Sequence, residues 1–557
     1  MNVKQTLLRH SNKAIAVVIL AILVIIPVVM VLLRSFMIDD AFLLLAPIRT
    51  IIEGDLGEVF VNSIRLAVTV VLVTTVIAAP LAFLTGKTEL ARAKWIDVAL
   101  LIPFMTPPYI ATMGWILFMQ PRGVVDQYLP LLGVFRPLFF SFWGIVMVMS
   151  FNLFPFIYLV IKNTLMEITR SLEDAGAVHG GTFLYRMRRI ILPLVFSGYT
   201  MGALLIFVKT LAEFGTPATL GRRVGYYVFT TEIYRFTNQW PIDFARGTAL
   251  ASVLLITSML VWYVQQLLAS RHTYSIVGGR DHGKKYYRLG KWSPLAWAYV
   301  ALLLILSIGV PYWSIVTSSI MRIWGYGLVA GNITIENYAQ LFTAGTLGAR
   351  ALWNSLRLSF LAATIAMFLG TFLAVVIIRS RGAIRQFIDV SSLLSNTVPR
   401  IVIIVGLILF WNAPWMRNTT VYNTAMMLAL TYTVAFLPYT VQYVKANFQQ
   451  IDVSLFHAAQ VSGARSGYIT RRILFPLIRP GMVAGWIMTF IISIRELVGS
   501  LMIRPPGIET SATFIFRQFD QGVVPLGMAM ALTTVGLTTI VMVIVQQGKK
   551  TKATEAA

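Results

Sequence analysis

Asn62-Ser63-Ile64-Arg65-Leu66, followed by an apolar run that continues to Gly86 before Lys87, returns 292 residues later as Asn354-Ser355-Leu356-Arg357-Leu358, followed by an apolar run to Ile378 before Arg379. About 20 mostly apolar residues are needed for a helix to cross the hydrocarbon core of a bilayer. The stretch therefore reads as a transmembrane helix, and its return reads as a duplication. The rest of the chain keeps the register. Pro107 matches Pro399 at the same offset. After the third helix the offset becomes 283, because the loop there is shorter in the second half. Pro155, Lys162, Gly180 and Pro193 then match Pro438, Lys445, Gly463 and Pro476.

Composition agrees with a membrane protein. Of the 557 residues, 57% are hydrophobic and 12% charged, where soluble domains carry about 25% charged residues. The apolar runs are far longer than the short alternating segments of a membrane barrel. They place helices near 14–34, 58–86, 95–118, 138–161, 189–213 and 246–268, then near 294–320, 351–379, 388–411, 422–444, 473–502 and 524–546. The first, Ala14 to Leu33, is too long for a signal-peptide core and no A-x-A site follows, so it reads as an anchored helix. The fold class is an all-α membrane protein of twelve transmembrane helices in two parallel six-helix repeats, 1–270 and 294–557, joined by a charged linker at 271–293. An even number of helices per repeat relates the halves by an axis along the membrane normal, and the path is expected between them.

The net charge of +24 invites a nucleic-acid reading. Its placement opposes one. More than half of the basic residues fall in short segments on one side, among them Lys4, Arg9, Lys13, Lys87, Arg92, Lys94, Arg186, Arg188, Arg189, Arg379, Arg381, Arg385, Arg471, Arg472, Lys549 and Lys550. Nucleic-acid binding requires the charge gathered on one folded surface. By the positive-inside rule these segments, and with them both termini, are cytoplasmic. With no cysteine the chain has no disulfide and no thiolate metal site.

Between the fourth and fifth helices lies Asp174-Ala175-Gly176-Ala177-Val178-His179-Gly180, with Ile190-Ile191-Leu192-Pro193 beginning ten residues after Gly180. The second half supplies His457-Ala458-Ala459-Gln460-Val461-Ser462-Gly463 and Ile473-Leu474-Phe475-Pro476 at the same spacing. Small residues allow a short helix close approach to a partner, glycine permits a tight turn, and proline is tolerated where a helix begins. Two copies in register resemble the E-A-A-x3-G-x9-I-x-L-P loop of type I ABC importer permeases. The resemblance covers nearly the whole chain. It implies that Asp174, Ala175, Gly176 and Gly180, with His457, Ala458, Ala459 and Gly463, dock two copies of an ATP-binding subunit and pass its motion to the membrane helices. Asp174 replaces the family's glutamate, Gly176 its second alanine, and His457 the acidic residue of the second loop, so the two contacts are expected to be unequal.

The resemblance also implies an extracytoplasmic solute-binding protein, an inner (cytoplasmic) membrane location, and ATP with Mg on the partner rather than on this chain. Gly278-x4-Gly283-Lys284 mimics a phosphate loop, but Lys285 stands where Ser or Thr should hold magnesium and no buried strand precedes it. The chain is accordingly read as a transport subunit, not an enzyme, without cofactor or metal of its own. An ion-driven secondary transporter could share the double six-helix plan, but it would need neither loop.

Lys209 and Glu213 fall at the end of the fifth helix, and Arg495 and Glu496 at the end of its repeat, with Glu213 and Glu496 at the repeat offset of 283. Charge in a membrane helix is costly and usually faces a pathway or a partner. Glu213 lies about 30 Å along the helix from Pro193 at 1.5 Å per residue. Two readings stand: the four residues line or gate the path, or Lys209 and Glu213 pair locally at i,i+4. Gly198-x3-Gly202 and Gly481-x3-Gly485 allow close helix packing, within a half or between the fifth helices. For the solute, Phe207 to Thr216 and Glu496 to Thr510 are similar to the fused permeases of ferric-iron importers, while thiamine, polyamine, phosphonate and sugar-phosphate relatives look alike. Tyr226, Tyr227, Glu232 and Tyr234 offer the oxygen ligands ferric iron favours, or form a loop that docks the binding protein. Arg222, Arg223 and Arg504 suit an anionic solute.

Overall fold

The computed structural model describes residues 3–38, 41–43, 46–53, 56–168, 170–271, 286–452 and 454–555. The only strands among them are Met37–Ile38 and Ala41–Phe42, paired antiparallel. The first half contributes α1 (Ser11–Ser35), α2 (Gly57–Lys87), α3 (Trp95–Met105), α4 (Pro108–Met119), α5 (Phe142–Glu167), α6 (Arg170–Val178), α7 (Leu184–Ala212), α8 (Phe229–Asn238) and α9 (Phe244–Arg271). The second contributes α10 (Gly290–Ser319), α11 (Leu347–Arg379), α12 (Ala383–Thr397), α13 (Arg400–Trp411), α14 (Ala425–Gln449), α15 (Ser454–Val461), α16 (Gly467–Ile494), α17 (Val498–Ile503), α18 (Ser511–Asp520) and α19 (Val524–Glu555).

Ten of these are continuous helices long and apolar enough to span a bilayer, and twelve spans result if each of two bent pairs counts as one. The spans expected near 95–118 and 388–411 are these bent pairs, each broken into two legs. The chain turns by 92° between α3 and α4 and by 109° between α12 and α13. The cause is the proline pair that fixed the repeat. Pro107 and Pro399 each cap the second leg, and the residues before them, Thr106 and Val398, are extended with ψ of 128° and 132°. A residue preceding proline is driven out of the helical region in this way.

Four other prolines leave their helices unbroken by a common device. A π turn closes on the residue just before the proline: Ile26 N–H donates to the Ala21 carbonyl ahead of Pro27, and Val310 N–H to Ile305 ahead of Pro311. Leu192 N–H donates to Met187 ahead of Pro193, and Phe475 N–H to Thr470 ahead of Pro476. The wider turn accommodates the missing proline N–H. It also moves the expected starts at 189 and 473 back to Leu184 and Gly467, and the helix expected to run to 502 ends at Ile494.

The compact units do not coincide with the halves of the sequence. One comprises Ile52–Glu232 and Ile256–Ile333, the other Met1–Ile51, Ile233–Leu255 and Thr334–Ala557. The first helix of each half thus belongs to the unit built mainly from the other half. Within its unit α1 packs on α13, and in the other unit α10 packs on α4. The contacts are the same. A Cβ on Gly406 would lie 2.4 Å from the Pro27 carbonyl oxygen, and one on Gly114 would lie 2.6 Å from that of Pro311. Residues 109–119 of α4 are all buried, which suits a helix that is apolar all round.

The opening motif caps loops. Ser63 Oγ accepts from Phe229 N–H at 2.9 Å at the start of α8, and Ser355 Oγ accepts from Ser511 N–H at 2.7 Å at the start of α18. The linker expected at 271–293, with the Gly278–Lys285 stretch, lies outside the described residues from 272 to 285. Beyond it, Tyr287 bridges to the end of α2, its N–H donating to the Lys87 carbonyl at 2.9 Å.

Candidate functional site

Each loop between the fourth and fifth spans folds into a short helix, α6 or α15. Both helices end alike: Gly180 has φ of +78° and Gly463 of +79°. Gly181 N–H donates to the Gly176 carbonyl at 2.9 Å and Ala464 N–H to the Ala459 carbonyl at 3.0 Å. This is the left-handed C-terminal cap that favours glycine. A Cβ at either position would meet nothing within 4 Å, so backbone conformation, not space, calls for glycine. Gly176 is different, since its Cβ would lie 2.7 Å from Ile190 Cδ1.

Both helices present apolar side chains away from the protein. Val178 is 84% exposed and Val461 90%. Tyr185 and Tyr468, also at the 283 offset, are exposed beside them. Asp174, Ala175, His457 and Ala458 are exposed as well. Sequence reasoning named the small residues and missed the valines and tyrosines, although their spacing already signalled them. At the start of α15, Asp452 Oδ1 accepts from Ser454 N–H at 2.8 Å, and this bond holds its carboxyl below the ordinary value of 3.8. A lowered folded-state pKa contributes stability above the unfolded value that is lost as pH falls through it. Acidification toward pH 3 should therefore lower the amide protection factors at the start of α15, once exchange rates are normalised to the intrinsic rate at each pH, and Asp452→Asn should remove that pH dependence.

The fifth span ends at a carboxylate in each half. Glu213, extended at ψ 133°, stops α7, and its Oε1 and Oε2 accept from Gly215 and Thr216 N–H at 2.7 and 3.0 Å. Glu496 lies just beyond Arg495, the C-cap of α16. Its oxygens accept from Val498 and Gly499 N–H at 3.1 and 2.8 Å, and it is 5% exposed. These carboxylates cap the helical turns that restart after each break. Lys209 sits with Nζ 4.8 Å from the Phe156 ring centroid.

A repeated ion pair was not anticipated. Lys162 pairs with Asp97, which also accepts from Tyr158 Oη, and Lys445 pairs with Asp389 at 2.5 Å. Each pair joins the first leg of a bent span to the fourth span, and Asp97 and Asp389 stand at the 292 offset. The glycine pairs pack within their own halves. Cβ atoms on Gly198 and Gly202 would approach Thr164 and Ile157 of α5. Those on Gly481 and Gly485 would approach Tyr443 and Thr440 of α14.

The oxygen groups suggested for iron do not share one environment. Tyr226 Oη donates to the Asn62 carbonyl at 2.8 Å, Glu232 is buried and Tyr227 exposed, and Tyr234 is half-buried. Among the described residues no group of three or more His, Cys, Asp or Glu is placed to hold a metal. Arg223 donates to Gln120 Oε1 at 3.2 Å, and Arg504 lies 3.9 Å from Glu509.

Comparison with known proteins agrees with this duplicated arrangement. The family model described as the binding-protein-dependent transport system inner membrane component matches twice, at residues 78–274 and 366–547. The chain is 24% identical to the ferric transport system permease protein FbpB of Actinobacillus pleuropneumoniae over 535 residues, 93% of this chain and 74% of that one. It is 25% identical to the putative ferric transport system permease protein FbpB 1 of Haemophilus influenzae, over 84% of this chain and 73% of that one. A sulfate transport system permease protein of Salmonella typhimurium is 25% identical over 33% of this chain and 65% of its own length. The chain belongs to the binding-protein-dependent inner-membrane permease family of ABC importers, carries that family's domain twice, and is a multi-pass transport subunit.

Proposed function

We propose that this chain forms the translocation path of a ferric-iron importer, with both termini in the cytoplasm and with α6 and α15 each docked on one copy of a separate ATP-binding subunit. ATP and magnesium act on that subunit, and a solute-binding protein delivers iron on the opposite side. The observation that carries the coupling is the pair of helices with the same left-handed glycine cap and the same exposed valine. An exposed apolar patch outside the membrane marks an interaction surface. From each helix the chain enters the fifth span through a π turn, and that span ends at Glu213 or Glu496. A push on α6 or α15 is thereby delivered to the carboxylate caps, where Lys209, Glu213, Arg495 and Glu496 gate the path. Iron is favoured by the ferric permeases, which match along most of the chain.

Two measurements test this. Charging the exposed patch with Val178→Glu and Val461→Glu together should abolish co-purification of the ATP-binding subunit while the permease stays folded; full retention would discard the docking surface. In cells expressing the whole importer, radiolabelled ferric iron should accumulate with dependence on the binding protein. Accumulation of sulfate or a phosphonate instead would replace the solute and leave the coupling intact.

A further inference from the structure

The two halves share a backbone framework at the far end of their second spans but fill it differently. In the first half the Arg65 guanidinium lies 4.6 Å from the Phe142 ring centroid, and that ring packs on Tyr226 at 5.2 Å. The second half repeats the supporting bonds. Asn62 donates to the Tyr227 carbonyl and Asn354 to the Glu509 carbonyl, alongside the Ser63 and Ser355 bonds. These bonds align Tyr226 with Ile508, and the 283 offset aligns Phe142 with Ala425. Two aromatic rings are thus absent opposite Arg357. In their place is a cavity of about 700 Å³ whose lining includes Trp353, Arg357, Leu361, Ala425, Phe490 and Ile508.

Three features identify what fits there. The wall is apolar apart from Arg357 and Asn354, and no acidic residue lines it. Trp353, Phe360 and Leu361 at its edge are exposed apolar side chains on a spanning helix, which is the surface that meets acyl chains. Arg357 stands 22 residues before Arg379 on α11, about 33 Å at 1.5 Å per residue, close to the roughly 30 Å of a hydrocarbon core. With Arg379 at one interface, Arg357 is at headgroup level in the other leaflet, and Trp353 lies one turn beyond, where interfacial aromatics concentrate.

We infer that the cavity is a site for one phospholipid of the leaflet opposite Arg379, its phosphate on Arg357 and an acyl chain lying between α11, α14 and α16. A guanidinium binds a phosphate through paired N–H donors, and the chain fills the volume that Phe142 and Tyr226 occupy in the first half. The inference is independent of which solute is carried.

The test uses the full-length chain purified from membranes in mild detergent, with bound lipid read by native mass spectrometry and by titration with phosphatidylglycerol. One retained phospholipid per chain is expected. Ala425→Phe, which installs the residue of the other half, should displace it with the thermal unfolding midpoint unchanged or raised. Arg357→Gln should weaken phosphatidylglycerol binding at least tenfold, leaving uncharged diacylglycerol binding unaffected, and Arg65→Gln should change neither. Equal lipid retention in wild type and Ala425→Phe would overturn the site. So would diacylglycerol binding as tightly as phosphatidylglycerol, or displacement of the lipid by inorganic phosphate or sulfate at millimolar concentration, which would point to a water-soluble anion instead.

Discussion

Gly406→Ala and Gly114→Ala should each markedly destabilise the protein, and by similar amounts. In both, the new methyl group would have to occupy space 2.4–2.6 Å from a backbone carbonyl oxygen, that of Pro27 or Pro311. No rotamer change relieves a contact with backbone, so α1 or α10 must move away from the helix it packs on. Overpacking typically costs about 1–3 kcal/mol, and the lost close approach puts these substitutions at the upper end, beyond what alanine's better helix propensity, up to about 1 kcal/mol, returns. The measurement is recovery of monodisperse protein and the midpoint of thermal unfolding in detergent. Gly536→Ala is the control: a Cβ there meets nothing within 4 Å, and its effect should stay within about 0.5 kcal/mol. Equal midpoints for all three would mean that the glycine contact does not hold the crossed-over helices in place.

Glu213→Gln and Glu496→Gln should lower solute uptake at least tenfold while leaving assembly with the ATP-binding subunit intact. Both oxygens of Glu213 accept backbone N–H groups, and so do those of Glu496. An amide keeps one acceptor and turns an NH2 toward the other donor. Leaving a buried donor unsatisfied costs about 1–3 kcal/mol, and here the cost falls on the turn that restarts the chain after the fifth span. Uptake assays at matched expression decide the matter, since wild-type rates in both variants would discard the gating role. Co-purification reports separately on α6 and α15, so a failed gate and a failed docking surface are distinguishable.

The membrane class, the duplication and the two cap glycines, Gly180 and Gly463, were readable from residue order alone. Membrane-spanning length is set by bilayer thickness and is countable in residues, and a left-handed cap calls for glycine whatever packs around it. Pro107 and Pro399 were legible as a matched pair, yet hydropathy alone did not reveal the bends, because an apolar run has the same composition whether or not it bends. Glu213 and Glu496 were legible as equivalent charges, but their capping of Gly215, Thr216, Val498 and Gly499 requires the chain to fold back through a break. Which compact unit α1 and α10 join, and the existence of the cavity beside Arg357, came from the three-dimensional packing. Both depend on which surfaces meet across long stretches of chain. Periodicity and spacing describe neighbours along a helix, whereas shape complementarity between distant segments is settled by packing at close range.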